Sequence, residues 1–245
     1  MKTNKHPKVS VITVSFNAVK EIEKTILSVL NQTYDNIEYI IIDGGSTDGT
    51  VDIIRKYADR IAYWVSEPDG GIYFGMNKGI KVATGEWINF MNAGDLFYSK
   101  YVVEKVFTNE YLQQTKVIYG DVYKVIGSKS RLIKGMPIRC IRKTMPCCHQ
   151  SEFVKTYNKT EIMFRADKYK LAADYDVLYR IYFKYGEDSI SIVNCAIAIF
   201  DGQGVSTTKK RLVFREDIDI RKEHKNFRWY WDRFKDSVKK ILYKD

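Results

Sequence analysis

Residues 66–95, SEPDGGIYFGMNKGIKVATGEWINFMNAGD, decide the fold that the sequence predicts. The pattern predicts a turn with two glycines, a helix with one apolar face, a buried strand at 87–91 and an acidic turn. Asp95 stands just beyond the end of that strand. Open α/β sheets bind ligands and metals beyond the carboxyl ends of their parallel strands. We therefore expect Asp95 to lie in a ligand site.

The residues before this stretch alternate between predicted strands and helices. The predicted strands at 9–16 and 37–42 are rich in β-branched residues without strict alternation, which is typical of strands covered on both faces. A third strand is predicted at 61–65. Asn17 is expected to cap a helix at 18–31, and Thr47 or Asp48 the next helix. Because crossovers between parallel strands are right-handed, the pattern predicts an α/β fold with a doubly wound, mostly parallel sheet.

The second half of the chain is less regular, and residues 137–153 have no assigned element. Its predicted strands are residues 117–126, 131–136 and 190–200. Its predicted helices are residues 101–111, 170–185 and a long C-terminal helix that begins near residue 212. The fold class is therefore α/β with a C-terminal helical extension. The absence of GxGxxG after the first strand argues against a classical NAD site and against a nucleotidyltransferase of related fold.

The charge of the chain is concentrated in its second half. Residues 1–120 contain 13 basic and 14 acidic side chains, whereas residues 121–245 contain 27 and 16, within a total net charge of +10. This asymmetry favours an anionic partner: nucleotide phosphate, nucleic acid or an anionic membrane surface. No nucleic-acid-binding motif supports the second of these, so we expect no nucleic-acid partner.

The cysteines and the apolar runs indicate the cellular compartment of the protein. The four cysteines match neither a CxxC spacing nor a dense disulfide framework, which indicates a reducing compartment. The apolar run after the N-terminal lysines is too short and too polar for a signal peptide, and no run approaches the roughly 20 apolar residues of a membrane span. We therefore expect a cytoplasmic protein.

Three acidic turns, at Asp43, Asp69 and Asp95, each follow a predicted strand of the same direction. In a parallel sheet they would meet along one rim. Taken singly, Asp43 and Asp69 also fit turn formers or helix caps. Their coincidence with three strand ends favours a binding site.

The chain resembles a known family at these residues: the inverting GT-A glycosyltransferases of family 2, in particular the bacterial enzymes that build O-antigen, capsule or exopolysaccharide units. The resemblance rests on the stretch quoted above and on VSVITVSFNA (9–18), QTYDNIEYIIIDGGSTDGT (32–50) and LAADYDVLYR (171–180). It implies a Rossmann-like GT-A catalytic domain at 1–205, with a nucleotide-sugar half to about residue 100 and an acceptor half from about 101. Residues 206–245 would form a lid loop and a basic amphipathic helix.

The resemblance also implies roles for residues of the donor site. Phe16 would stack near the nucleotide base, Asp43 would accept a hydrogen bond from it, and Asp69 would lie beside it. Asn77 is assigned to the same nucleotide-sugar site. Plain core packing is the alternative for Phe16. UDP is the expected nucleotide, with a GDP- or dTDP-sugar as the alternative donor.

Asp95 matches the last acidic residue of the family's DXD motif, which implies that it binds Mn²⁺ or Mg²⁺ on the donor diphosphate. Hard cations of this kind prefer oxygen ligands and often keep several waters. The sequence departs from the motif, because Ala93 and Gly94 stand where further carboxylates are common. Asp95 would then be the single acidic metal ligand that the motif retains.

An inverting transfer also needs a general base. Asp174 aligns with the aspartate of the family's ED-type motif and is the expected base, although Ala173 replaces the preceding acid. Asp176 competes with it, and either aspartate also fits an acid favoured by a helix N-terminus. His149 and Asp176 are assigned to the acceptor side, with a structural loop histidine as the alternative for His149.

The function predicted is therefore inverting transfer of a sugar from a nucleotide sugar to a glycan or polyprenyl-linked acceptor in surface-polysaccharide synthesis. The alternative is a catalytically weak sugar-nucleotide-binding or membrane-scaffold protein. The loop at 201–211 suits a lid over the diphosphate and equally a solvated charge run. The basic, aromatic tail suits a helix at the cytoplasmic face of the inner membrane, and equally a helix packed on protein.

Overall fold

The structure is a computed structural model, and it describes residues 6–108, 114–202 and 209–224. Its strands are β1 (Val9–Ser15), β2 (Ile37–Asp43), β3 (Tyr63–Ser66), β4 (Trp87–Phe90), β5 (Leu96–Phe97), β6 (Val117–Ile126), β7 (Lys129–Ile133), β8 (Glu152–Lys155) and β9 (Ile190–Asp201). Its α-helices are α1 (Ile22–Leu30), α2 (Thr50–Lys56), α3 (Ile72–Val82), α4 (Val102–Phe107), α5 (Lys159–Ile162), α6 (Ala173–Tyr185) and α7 (Lys210–Glu223). Most of the predicted lid and the tail from residue 225 lie outside the described residues.

The described strands form one sheet in the order β3-β2-β1-β4-β8-β6-β9-β5, with β7 paired to β6. Strands β1 to β4 are parallel to one another. Strand β8 runs antiparallel between β4 and β6, and β9 is parallel to β6. Six of the nine described strands therefore share one direction. The predicted α/β class with a mostly parallel sheet is confirmed.

Helices cover both faces of the sheet. Alternate residues of each central strand point to opposite sides, and the apolar residues on both sides need covering. Ile12 and Val14 of β1 belong to one core, which is completed by residues of α3 and α6. Val9 and Val11 belong to the other core, which contains residues of α1 and α4. Each central strand is thus buried on both faces, as its continuous apolar sequence predicted.

Two helices begin later than the sequence predicted. Helix α1 starts at Ile22, not at residue 18, because the expected cap Asn17 adopts a left-handed conformation with φ 48°. The side-chain oxygen of Asn17 instead accepts a hydrogen bond from the N–H of Thr47, at 3.0 Å. Helix α6 starts at Ala173, not at residue 170. Both differences depend on contacts with residues distant in sequence.

Helix α7 is the first part of the predicted C-terminal extension, and it packs against α6. Its Ile220 is fully buried within the core that contains the α6 residues. Its Glu216 is also buried, with 6% of its surface exposed. No helix within the described residues is long and apolar enough to cross a membrane.

Candidate active site

The carboxyl ends of β3, β2, β1 and β4 lie side by side, which brings the three predicted acidic turns to one rim of the sheet. Asp43 is the last residue of β2, Asp69 follows β3, and Asp95 follows β4. Neighbouring strands are about 5 Å apart. The expectation that these acids meet along one rim therefore agrees with the strand order.

Asp43 is fully buried and joins the ends of three strands. Its carboxylate accepts hydrogen bonds from the hydroxyls of Ser15, Ser46 and Ser66, and from the N–H groups of Gly45 and Ser46. Burial by itself would raise the pKa of Asp43, but these hydrogen bonds outweigh it and lower the pKa below its ordinary value. In this arrangement Asp43 organises the loops of the rim, and a direct bond to a base would require one of its five donors to move.

Phe16, Gly44 and Asp69 lie next to one another at the rim of the sheet. The Phe16 ring is 66% exposed, which core packing would not leave, and it stands at the end of β1. A β-carbon placed on Gly44 would lie 3.4 Å from the Phe16 ring and 3.4 Å from Asp69 Oδ2. The other oxygen of Asp69 accepts a hydrogen bond from the Gly71 N–H at 2.8 Å, which fixes the carboxylate above the start of α3. An exposed aromatic face and a hydrogen-bond acceptor thus stand on either side of Gly44.

Asp95 is 9% exposed and lies in a turn that the glycine at 94 allows, with φ 100°. Its Oδ2 accepts a hydrogen bond from Gln150 Nε2 at 3.1 Å. Burial, with a smaller effect of the Asp201 carboxylate, raises the pKa of Asp95 to about 7, against the hydrogen bond from Gln150. Any cation at this carboxylate would favour its ionised form.

A second group of polar side chains converges on Asp174. The hydroxyl of Tyr73 donates a hydrogen bond to Asp174 Oδ1 at 2.9 Å, and His149 Nδ1 lies 3.6 Å from Asp174 Oδ2. Asn92 Nδ2 lies 3.1 Å from His149 Nε2, so the amide donates and that ring nitrogen accepts. Burial lowers the pKa of His149 more than Asp174 raises it, so the imidazole is neutral at pH 7. Its proton is therefore on Nδ1, on the side that faces Asp174.

A small cavity lies behind Asp174 and His149 and is lined otherwise by Glu152 and apolar side chains. Glu152 accepts a hydrogen bond from the Cys147 thiol at 3.0 Å. Burial raises the pKa of Glu152 to about 8, more than that hydrogen bond lowers it. Glu152 is consequently a neutral neighbour of the site at pH 7.

Two of the predicted site residues have other partners. Asp176 is fully buried on α6 and is bound by Arg165 and Arg180, with His224 Nε2 at 3.6 Å. Asn77 exchanges two hydrogen bonds with the backbone of Phe164, at 2.8 and 2.9 Å. The structure thus brings Asp174 and His149 together but directs Asp176 towards α7. The roles assigned to Asp176 and Asn77 stay predictions.

A sequence model of the family described as Glycosyl transferase family 2 matches residues 10–180, about 70% of the chain. The chain belongs to this family. An uncharacterised glycosyltransferase of Mycobacterium tuberculosis is 46% identical over 98 residues, which are 40% of this chain and 37% of that protein. The predicted membership of family 2 is therefore confirmed. The chain spans less than half the length of this relative.

Solved structures share the fold of this family 2 glycosyltransferase. TarS 1–349 of S. aureus, in complex with UDP-GlcNAc, superposes with a TM-score of 0.66 at 20% identity and covers 82% of this chain and 61% of that one. A second neighbour is the mannosyltransferase PcManGT of Pyrobaculum calidifontis, in complex with GDP-Man and Mn²⁺. It superposes with a TM-score of 0.64 at 18% identity, and the match covers 88% of this chain and 63% of that one. At sequence identities of 20% and 18%, the similarity to these two structures shows that the chain has the GT-A fold.

Sequence reasoning missed several residues of the site, which are Tyr73, Asn92, Gln150, Glu152 and Glu216. Tyr73, Gln150 and Glu216 have no local signal, because they meet their partners 101, 55 and 44 to 46 positions away in the chain. Asn92 was the exception, since it lies in the same acidic turn as Asp95. An amide at that position could have been recognised as a polar replacement for a carboxylate.

Proposed function

We propose that this family 2 glycosyltransferase transfers one sugar, with inversion, from a nucleotide sugar to an acceptor hydroxyl. The observation that carries the proposal is the placement of two groups on one rim of the sheet. One is the group of Phe16, Gly44 and Asp69, and the other is the cluster of Asp95, His149 and Asp174. The first group suits a base, and the second suits a diphosphate and the reacting sugar.

The separation of the two groups supports a nucleotide donor. Gly44 lies just after β2, and Asp95 lies beyond β4, two strands away and so about 10 Å across the sheet. A nucleoside diphosphate has a comparable length from its base to its phosphates. UDP is the proposed nucleotide, which agrees with the UDP-GlcNAc complex of TarS. A GDP-sugar, as in the PcManGT complex, is the alternative.

The residues around Asp95 fit a hard divalent cation. Asp95 offers carboxylate oxygen, and the buried side-chain oxygen of Asn92 in the same turn has no hydrogen-bond partner. Oxygen ligands are those that Mg²⁺ and Mn²⁺ prefer. No group of three or more His, Cys, Asp or Glu residues within the described ranges could hold a metal, so the donor diphosphate must supply further ligands. A cation held there supplies charge stabilisation for the leaving diphosphate.

Asp174 is the proposed general base. The acceptor hydroxyl oxygen forms a bond to the anomeric carbon, and its proton passes to Asp174. The bond from the anomeric carbon to the diphosphate oxygen breaks, and its electron pair leaves with the nucleoside diphosphate. Tyr73 holds one oxygen of Asp174, and neutral His149 faces the other, so the carboxylate is oriented from both sides.

A screen of nucleotide sugars followed by two variants tests this function. UDP-, GDP- and dTDP-sugars with Mn²⁺ are compared by thermal shift, because a ligand of the folded state raises its apparent stability. We expect a UDP-sugar to shift the midpoint and to be turned over slowly with release of UDP. Asp174→Asn should lower this turnover by about 100-fold or more while the shift is retained. Asp95→Ala should lose the part of the shift that depends on Mn²⁺.

If Asp174→Asn turned over the donor at nearly the wild-type rate, Asp174 would not be the general base. If a nucleotide sugar shifted the midpoint without being turned over, a binding role would replace the enzymatic one, and if none shifted it, a scaffold role would. The anomeric configuration of the product, read by proton NMR, decides between inversion and retention. The acceptor class proposed is a glycan or polyprenyl-linked sugar of a bacterial surface polysaccharide, with the protein cytoplasmic and peripheral to the inner membrane.

A further inference from the structure

The carboxylate of Glu216 on α7 binds the backbone immediately before α6. Its Oε1 accepts a hydrogen bond from the N–H of Lys170, and its Oε2 accepts from the N–H groups of Leu171 and Ala172, each at 2.9 Å. Glu216 is 6% exposed, so these bonds are shielded from water. Glu216 thereby satisfies three consecutive backbone donors, of which the N–H of Ala172 is buried.

Helix α6 lacks a cap of its own. Its first flanking residue is Ala172, whose side chain cannot accept a hydrogen bond, and no side chain caps the helix locally. Glu216 therefore does from α7 part of what a local cap would do. A carboxylate at this end of α6 also interacts favourably with the helix dipole. The position at which α6 begins is set by a residue more than 40 positions later in the chain.

A second carboxylate of α7 fixes the other end of the same segment. Glu223 binds the Arg165 guanidinium at 2.5 Å and the Tyr169 hydroxyl at 2.8 Å, and it pairs with Lys168. Between the two acids, Ile220 is fully buried. Residues 165–172 are therefore held at both ends by one face of α7.

From these contacts we infer that Glu216 is a positioning residue for Asp174 and that α7 is part of the catalytic unit. Asp174 is the second residue of α6, only two positions after Ala172, so its place follows from how the segment before it is held. Within the chain the base thus depends on three elements: α6 carries it, Tyr73 of α3 binds it, and Glu216 of α7 sets the backbone below it. The inference rests on the proposed role of Asp174.

Glu216→Gln tests the inference, because it keeps the shape of the side chain and removes its charge. The matched control is Asp219→Asn, which neutralises an exposed acid of the same helix. We expect amide hydrogen exchange of residues 170–174 to become at least tenfold faster in Glu216→Gln and to be unchanged in the control. We also expect kcat for donor hydrolysis to fall at least tenfold, while the dissociation constant for UDP with Mn²⁺ changes less than twofold.

Glu223→Gln is the second variant, because its side chain is 35% exposed and its loss is better tolerated. It should accelerate exchange at 165–172 and lower kcat about threefold. Wild-type exchange and kcat in both variants would overturn the inference, as would a loss of UDP affinity equal to the loss of kcat. If exchange accelerated as expected but Asp174→Asn were fully active, the contact of α7 would stand and the proposed base would be wrong.

Discussion

Gly44 leaves room at the point where a β-carbon would lie between Phe16 and Asp69. Its backbone is not in the left-handed region, so a larger residue is sterically possible for the main chain. We expect Gly44→Leu to displace the Phe16 ring or the Asp69 carboxylate and to weaken UDP binding at least tenfold, which is about 1.4 kcal/mol. Gly44→Ala, whose β-carbon makes only ordinary contacts, should change the dissociation constant less than about threefold.

Isothermal titration with UDP and Mn²⁺ measures both Gly44 variants, and thermal unfolding checks that they fold. Equal affinity in wild type and Gly44→Leu, with an unchanged melting temperature, would place the base elsewhere. If Gly44→Ala lost as much UDP affinity as Gly44→Leu, the size of the side chain at position 44 would not explain the loss.

The raised pKa of Asp95 leads us to expect that metal binding depends on pH. A carboxylate must lose its proton to bind a cation, and burial has raised the pKa of Asp95 to about 7. Mn²⁺ affinity in the presence of UDP should therefore rise about tenfold per pH unit below pH 7 and level off above it. Titration between pH 5.5 and 8 measures this dependence. Asp95→Asn is the control, because it retains the dependence due to the UDP phosphate, which itself titrates near pH 6. The same slope in both proteins would contradict a role for Asp95.

At the level of elements, Asp176 joins α6 to the segment before it and to α7. Burial by itself would raise the pKa of Asp176, but the hydrogen bonds and charges of His224, Arg165 and Arg180 lower it to about 2. The unfolded value is near 3.9. The contribution of Asp176 to stability is therefore fully present above about pH 4 and is lost as the pH falls towards 2.

We expect Asp176→Asn to lower the free energy of unfolding by about 3 kcal/mol at pH 7, because it leaves two arginines without their buried partner. The difference from wild type should shrink between pH 4 and pH 2. Urea unfolding at several pH values measures both effects, with the exposed Asp167→Asn as control. A variant as stable as wild type that lost turnover would instead support the acceptor-side role predicted from the sequence.

The elements that the sequence predicted well are those fixed by local pattern. Strand β6 occupies residues 117–126 as predicted. The predicted cap of α2 is wrong, because Gly49 occupies the N-cap position, although Asp48 just before it accepts a hydrogen bond from the Thr50 N–H. Strand β8 was not assigned, because its four residues depend on β4 and β6 for their hydrogen bonds. The start of α6 was placed three residues early, because the residues at 170–172 bind Glu216 instead of continuing the helix.

In the candidate site, too, local pattern was predictable from the sequence and long-range contacts were not. Asp43, Asp69 and Asp95 were found because each follows a strand, and parallel strands bring their ends together. The contact of Asp174 with Tyr73 was not predicted, because Tyr73 lies 101 positions away, and His149 was assigned to the acceptor side without its contact to Asp174. Pattern therefore locates the rim, whereas the orientation of each carboxylate depends on long-range contacts.

For the whole molecule, the C-terminal region separates into two parts with different expected roles. Residues 210–223 form α7, which holds the segment before Asp174 through Glu216 and Glu223. Residues 225–245 lie outside the described residues, and their sequence has seven basic and three acidic side chains together with six aromatic ones. A segment of this composition suits an anionic membrane surface, where each basic residue contributes about 1 kcal/mol. A deletion that began near residue 212 would remove both parts and could not distinguish their roles.

Deletion of residues 225–245 alone therefore tests the membrane role. We expect the shortened protein to lose binding to vesicles that contain phosphatidylglycerol while it retains hydrolysis of the donor within about twofold. A second deletion, of residues 210–245, should lose hydrolysis as well, because it also removes Glu216. Co-sedimentation with phosphatidylcholine vesicles controls for binding that does not depend on charge. Unchanged sedimentation after the first deletion would show that the tail is not what binds the membrane, and full hydrolysis after the second would show that Asp174 keeps its position without α7.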